Sequence, residues 1–326
     1  MGTWVCAPVF ADVMGQDRAV ELLQASLEQQ RLAPAYLFCG PHGVGRRRTA
    51  LRFLEAILNE TLAANLQQRR RLQEGNHPDL LLVEPTYSNQ GRLLSSAEAE
   101  ASGLKKRGLP QLRLEQVREV SRFLVRHPLE GKRSCVLLDG VERLNETAAN
   151  GLLKTLEEPG GGLLVLLTTS RDHVLPTILS RCHVVNFRPL SGPALHQVLG
   201  SLGEPVEGDS PEILALAAGS PGELLRHRQQ VEAVGSDALQ LLDQPLERPH
   251  QALALAKAIT EDGLDLEQQL WLIALWQQGI WRWGKANGQL SKAQERVQDL
   301  ERLGRQLRGY VQPRLAWEVT LLGWLV

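Results

Sequence analysis

Two apolar runs, Cys135-Val136-Leu137-Leu138 and Leu163 to Leu167, bracket a stretch of helical period. This alternation limits the fold more than any other feature of the sequence. The first run stops at Asp139. Between the runs, Ala148, Ala149, Leu152, Leu153 and Leu156 recur on one helical face, Asn145 precedes them as a capping residue, and Pro159 with three glycines ends the element. After the second run come Thr168-Thr169-Ser170, then Pro176-Thr177-Ile178-Leu179-Ser180-Arg181-Cys182 and an alternating piece from His183 to Phe187. The segment reads as strand, helix, strand, exposed arginine turn, strand. Short apolar strands joined by such helices form a parallel sheet covered on both faces, so the fold class is α/β.

The same alternation begins earlier. Ala35 to Cys39 reads as a buried strand, and Gly40-Pro41-His42-Gly43-Val44-Gly45-Arg46-Arg47-Arg48-Thr49 leads from it into a helix, where a phosphate-binding loop belongs. A working loop needs glycines so that backbone N–H groups can surround phosphate, a lysine for the terminal phosphates, and a hydroxyl for Mg²⁺. Gly40, Gly43 and Gly45 are present, but Arg46 stands at the lysine position and Arg47 at the hydroxyl position. A planar, permanently charged guanidinium is a poor replacement for a compact ammonium. Arg47 offers no oxygen to a metal, and Thr49 lies two positions too late. The loop reads as a relic without hydrolysis, metal or bound nucleotide. Two other readings stay open: a simple anion site, and solvated charge on a first helical turn.

The acidic strand end at Asp139, the run Ala149-Asn150-Gly151-Leu152-Leu153-Lys154-Thr155-Leu156-Glu157-Glu158-Pro159 and the turn Ser180-Arg181-Cys182 closely resemble the AAA+ subunits of bacterial DNA polymerase III clamp loaders. The resemblance is dense over the first two thirds of the chain. It implies an AAA+ P-loop-type sheet domain, a small helical lid and an all-α collar. In that family the Ser-Arg-Cys arginine acts across a subunit boundary on the neighbour's ATP, and the matching residue is Arg181. The other role open to Arg181 is an ion pair that ties its turn to the sheet. Where the family has Asp-Glu at the strand end, this chain has Asp139-Gly140, with Glu142 two residues on and expected to point elsewhere. In Gly219-Ser220-Pro221-Gly222-Glu223, Gly222 falls where the family has a sensor arginine. Lysine, metal ligand, catalytic glutamate and sensor arginine are all missing, while the arginine for the neighbour remains. That combination resembles the fixed stator of the loader ring, an accessory subunit of a DNA-directed DNA polymerase, and not its gamma or tau motors. The implied partners are the gamma/tau and delta subunits, with the sliding clamp and primer-template DNA reached through the assembled loader. No cofactor of its own is implied, since ATP is bound by the partners. An active gamma/tau-like ATPase with an arginine-substituted loop is the alternative, and a DNA-binding adaptor using basic clusters is a third reading.

A net charge of −1 over 326 residues excludes a protein that coats nucleic acid by bulk electrostatics. Any DNA contact must be local, at Arg46 to Arg48 or Lys105-Lys106-Arg107. The apolar runs fall short of a membrane span and the N-terminus lacks a secretory pattern, so a cytoplasmic protein is expected. Cys6, Cys39, Cys135 and Cys182 are widely spaced, which suits reduced core residues. Many members of the family it resembles carry a zinc-binding cysteine cluster between the loop helix and the next strand; no cysteine stands there, so no zinc is expected. His77 and Asp79 lack a third ligand and read as a turn with a capping aspartate. Thr86 to Gln111 reads as a long mobile surface loop, and Arg113 to Arg126 as an amphipathic helix. Thr168 and Thr169, at the family's sensor position, are expected to serve as strand-end hydrogen bonders. Glu157 and Glu158 are adjacent on a helix and diverge by about a hundred degrees, which rules out a catalytic pair.

From Pro189 the pattern is helix without strand, with Ser191 to Leu202 and Ser210 to Arg228 as lid helices. Later stripes run through Ile273, Trp276, Ile280 and Trp283, through Ala293, Val297, Leu300, Gly304, Leu307 and Val311, and through Leu315, Val319 and Leu322. Such stripes read as core. The expected domains are residues 1–188 for the α/β domain, 189–230 for the lid and 231–326 for a helical collar that joins subunits.

Overall fold

Five short apolar segments pair as one parallel sheet, and their connections supply the helices that cover it. In chain order the first part of the protein runs α1 (Asp17–Glu28), β1 (Ala35–Cys39), α2 (Arg46–Asn59), α3 (Leu66–Gln73), β2 (Leu80–Val83), β3 (Tyr87–Asn89), β4 (Arg92–Leu94), α4 (Ser96–Ala101), α5 (Leu114–Leu124), β5 (Cys135–Leu138), α6 (Glu146–Glu157), β6 (Leu163–Thr168), α7 (Pro176–Leu179), β7 (His183–Asn186) and α8 (Gly192–Ser201). The sheet order is β2-β5-β6-β1-β7, all parallel. The computed structural model describes residues 8–89, 92–102, 110–234, 246–261, 264–309 and 311–325. The chain divides within α8 into two compact units, residues 1–198 and 199–326.

Every residue of the inner strands β1, β5 and β6 is buried, whereas the edge strands β2 and β7 are only partly so. This is the pattern of a sheet covered on both faces, and it explains why the inner strands are nearly continuous apolar runs. On one face Val136, Leu138, Leu164 and Leu166 meet Val117, Val120 and Leu124 of α5 and Ala148, Leu152 and Leu156 of α6. Each fully buried leucine contributes roughly 1.5–3 kcal/mol. Asn145 caps α6 as expected, its side chain accepting from the Ala148 N–H at 2.8 Å.

The stretch 86–111 departs from the expected mobile loop. It contains the antiparallel hairpin β3–β4, with Tyr87 opposite Leu94, and the short helix α4. Thr86 and Gln111 exchange both backbone hydrogen bonds at 3.0 Å and close its base. Ala99 is fully buried and anchors it. The polar composition concealed these few closing contacts; Lys105-Lys106-Arg107 lies outside the described residues.

Two polar clusters fix the loops around the sheet. Buried Asp79 accepts from the backbone N–H groups of Leu129, Glu130 and Gly131 at 2.6, 2.8 and 2.7 Å. Burial would raise its pKa, but those three donors hold the carboxyl below the usual range. It is a capping aspartate, and what it caps is the turn before β5. The second cluster joins Arg52, Glu55, Arg69 and Asp12. Arg52 binds both Asp12 oxygens and donates to Glu55, while Arg69 donates to Glu55 at 2.9 Å and to the Val9 carbonyl at 3.1 Å. The segment before α1 is thereby clasped to α2 and α3.

The second unit is helical: α9 (Pro211–Ala217), α10 (Pro221–Val234), α11 (Pro249–Glu261), α12 (Leu266–Ala286), α13 (Leu290–Leu307) and α14 (Pro313–Leu322). Its core is aromatic. Trp276 and Trp317 are buried and stack edge to face at 5.4 Å between centroids, and the Trp317 indole N–H donates to Gln269 at 2.9 Å. One expected core stripe is overturned: Leu315, Val319 and Leu322 are 53%, 63% and 37% exposed, and α14 buries Ala316, Trp317 and Leu321 instead. Leucine and valine spacing marked the wrong face because the much larger Trp317 decides which side turns inward. Trp283, in the stripe of α12, is likewise exposed, while Ile273 and Trp276 are buried. Among the described residues no helix is long and apolar enough to cross a membrane.

Candidate functional site

The glycine loop leaves the C-terminal end of β1 and enters α2. Gly40 lies so close to β7 that a Cβ there would stand 2.5 Å from the Phe187 carbonyl oxygen. Gly43 and Gly45 both lie within the loop, and Gly45 is the N-cap of α2, with no side-chain cap. Gln16 secures the loop from outside. Its side-chain amide donates to the Val44 and Arg188 carbonyls at 3.3 and 2.7 Å and accepts from the Arg188 N–H at 3.2 Å. Gln16, just before α1, is thus a buried staple between the loop and the exit of β7. The sequence carries no signal for it beyond a single glutamine.

The two substituted positions differ sharply. Arg46 is only 6% exposed, and its Nη1 has no hydrogen-bond partner among the described residues. Burial lowers its proton affinity, opposed by the charges of Asp139 and Glu142. Arg47 pairs with Glu84 and stands 3.6 Å from Asp139. The Thr49 hydroxyl is turned into its own helix, donating to the Gly45 carbonyl at 3.0 Å.

The acidic side of the site was only partly legible. Glu142, expected to point elsewhere, comes back to the sheet: Gly140 has φ 70° and reverses the chain into a short 3₁₀ turn, Val141–Arg143. Its Oε1 accepts from the Thr169 N–H and hydroxyl at 3.2 and 2.8 Å. Burial would raise the Glu142 pKa, but the hydrogen bonds it accepts hold it below the usual range. Thr168 donates to the Ser170 carbonyl at 2.9 Å. Both threonines therefore act as hydrogen-bonding groups at the strand end. Glu84, at the end of β2, went unnoticed in the sequence because nothing local links it to Arg47.

Arg181 stands elsewhere. It lies between α7 and β7, with its side chain 37% exposed, and it pairs with Glu157 at 2.7 Å. Its Nη1 also donates to the Thr177 carbonyl at 3.0 Å and reaches the Ser180 hydroxyl at 3.4 Å. Because β1 and β7 are parallel, with Tyr36 beside His183 and Cys39 beside Asn186, Arg181 precedes one end of the sheet and the loop follows the other. The paired strands alone separate the two by about 10 Å. Gly222 lies in the first turn of α10, and Ser220 accepts from the Glu223 N–H at 3.3 Å.

Residues 15–191 match the family described as DNA polymerase III, delta subunit, and residues 193–324 match the cyanobacterial DNA polymerase III delta prime C-terminal domain. The DNA polymerase III subunit delta' of Pseudomonas aeruginosa is 37% identical over 198 residues, covering 58% of this chain and 54% of that protein. Subunit delta' of Bacillus subtilis is 30% identical over 189 residues, covering 56% and 51%. Subunit tau/gamma of Haemophilus influenzae is 29% identical over 254 residues, covering 72% of this chain and 34% of that protein. The chain spans about half the length of the delta prime relatives it matches. The chain therefore belongs to the family described as DNA polymerase III, delta subunit, and its C-terminal part matches the delta prime C-terminal domain.

Proposed function

We propose that this chain is the stator of a clamp loader: it does not hydrolyse ATP itself and supplies Arg181 to the ATP site of a neighbouring gamma/tau-type subunit during placement of the sliding clamp on primed DNA. The observation that carries this reading is the position of Arg181, exposed at the opposite end of the sheet from the chain's own loop. A guanidinium there cannot serve a nucleotide of the same chain, and one supplied in trans is worth roughly 10³ to 10⁵ in rate where it is essential.

The loop supports the non-hydrolysing part of the reading. A Mg²⁺–nucleotide does not suit these residues, because the Arg47 guanidinium lies between Glu84 and Asp139 and the hydroxyl of Thr49 is engaged within α2. Arg46 and Arg47 act as built-in cations for the acids that would otherwise hold metal. The role is a cytoplasmic one, with the delta and gamma/tau subunits as partners and the clamp and DNA met through the assembly. In a loader reconstituted from gamma/tau-type and delta subunits, this chain should be required for ATP-driven clamp placement. A loader that places clamps equally well without it would overturn the reading.

A further inference from the structure

We infer that Glu157 is the positioning residue for Arg181, an inference that rests on Arg181 acting in trans. Glu157 is the last residue of α6, which is fixed at one end by the Asn145 cap and along its length by buried Ala148, Leu152 and Leu156. Arg181 follows α7, whose Ile178 is 1% exposed. Two rigid attachment points thus carry two charged groups that are themselves 52% and 37% exposed.

The guanidinium is held from one side. Nη2 donates to Glu157 Oε1 at 2.7 Å, and Nη1 donates to the Thr177 carbonyl at 3.0 Å and the Ser180 hydroxyl at 3.4 Å. Nε–H and the second Nη2 hydrogen make no bond to a described residue. Nε lies with Nη2 on the side edge of the fork, the edge through which a guanidinium meets phosphate oxygens. Glu157 therefore holds one part of the guanidinium and leaves its Nε–H without a bond to a described residue, open to a phosphate oxygen. An arginine side chain loses much rotamer freedom on being fixed, and here that loss occurs before the neighbour arrives. The carboxylate orients the group and fixes its reach; it touches no substrate.

The test is the rate of ATP hydrolysis with Mg²⁺ in a loader reconstituted with full-length chains carrying Glu157→Gln, Arg181→Ala, or both. Glu157→Gln keeps the shape and removes the charge. It should lower kcat about three- to fivefold, the upper range for an exposed ion pair, with KM nearly unchanged. In the Arg181→Ala background it should have no further effect. The inference is overturned if Glu157→Gln leaves or raises kcat while Arg181→Ala abolishes stimulation, or if the Glu157 effect persists without Arg181. Melting of each free chain provides the structural control, since a purely structural pair would lower melting temperature without separating kcat from KM. If Arg181→Ala itself leaves turnover unchanged, the trans-arginine reading fails first, and the inference with it.

Discussion

Mg²⁺–ATP should leave the melting temperature of the isolated chain unchanged. A ligand that binds only the folded state adds RT ln(1 + [L]/Kd), so a Kd of about 10 µM would add about 2.7 kcal/mol at about 1 mM ATP. For a unit of this size that is a rise of about 5–11 °C. A Kd above about 1 mM would add less than about 0.4 kcal/mol, roughly 1–2 °C. The prediction of no binding follows from Arg47, which pairs with Glu84 and stands 3.6 Å from Asp139. The three side chains are 39%, 44% and 32% exposed, so each pair contributes at most about 1 kcal/mol. Against this, the unpartnered buried Nη1 of Arg46 costs about 1–3 kcal/mol. The double substitution Arg46→Lys, Arg47→Thr removes both effects, which oppose each other, and should change stability by no more than about 3 kcal/mol. It releases Asp139 and Glu84 for Mg²⁺, so the variant should gain an ATP-dependent rise that the native chain lacks. Turnover should stay negligible in both, because Gly140 follows Asp139. A rise of several degrees in the native chain, or measurable hydrolysis by it, would refute the reasoning.

Two further predictions concern stability. Glu55 is fully buried among Arg52, Arg69 and the Asn65 N–H, so Glu55→Gln removes a buried carboxylate and leaves Asp12 to face both guanidinium groups. It should cost about 3–5 kcal/mol in urea unfolding; a loss below about 1 kcal/mol would show that the cluster reorganises freely. Burial lowers the pKa of both His77 and His227, and each Nδ1 accepts a hydrogen bond, from the Asp79 N–H at 3.1 Å and the Trp271 indole at 3.0 Å. Below about pH 6.5 the unfolded chain takes up protons that the folded chain resists. Stability should thus be full above that pH and fall as the solution is acidified toward about pH 5, with a shallower fall in His227→Gln. An unchanged slope in that variant would remove His227 from the account.

What could be read from the sequence was local. The inner strands are continuous apolar runs, α6 has a cap, a stripe and a proline stop, and the loop substitutions lie within ten consecutive residues. Such features reach only their neighbours, so they survive into the fold unchanged. What could not be read depends on partners far apart in the chain: Gln16 with Arg188, Arg47 with Glu84, Arg52 with Asp12. Glu142 illustrates the difficulty. Counting residues from Asp139 sent it away from the site, and only the positive φ of Gly140 brings it back to Thr169. The stripe of α14 failed for another reason: several faces of that helix are apolar, and periodicity alone cannot rank them when a tryptophan lies on one.

The most direct measurement is ATP turnover at the site of the neighbouring subunit in a reconstituted loader, comparing native chain with Arg181→Ala. Both should assemble, since Arg181 is an exposed group whose loss removes only surface contacts. Turnover at that site should fall by at least about 10³-fold with the alanine variant if the arginine is essential there. Equal turnover in the two loaders would contradict the account and leave Arg181 as no more than the ion-pair partner of Glu157.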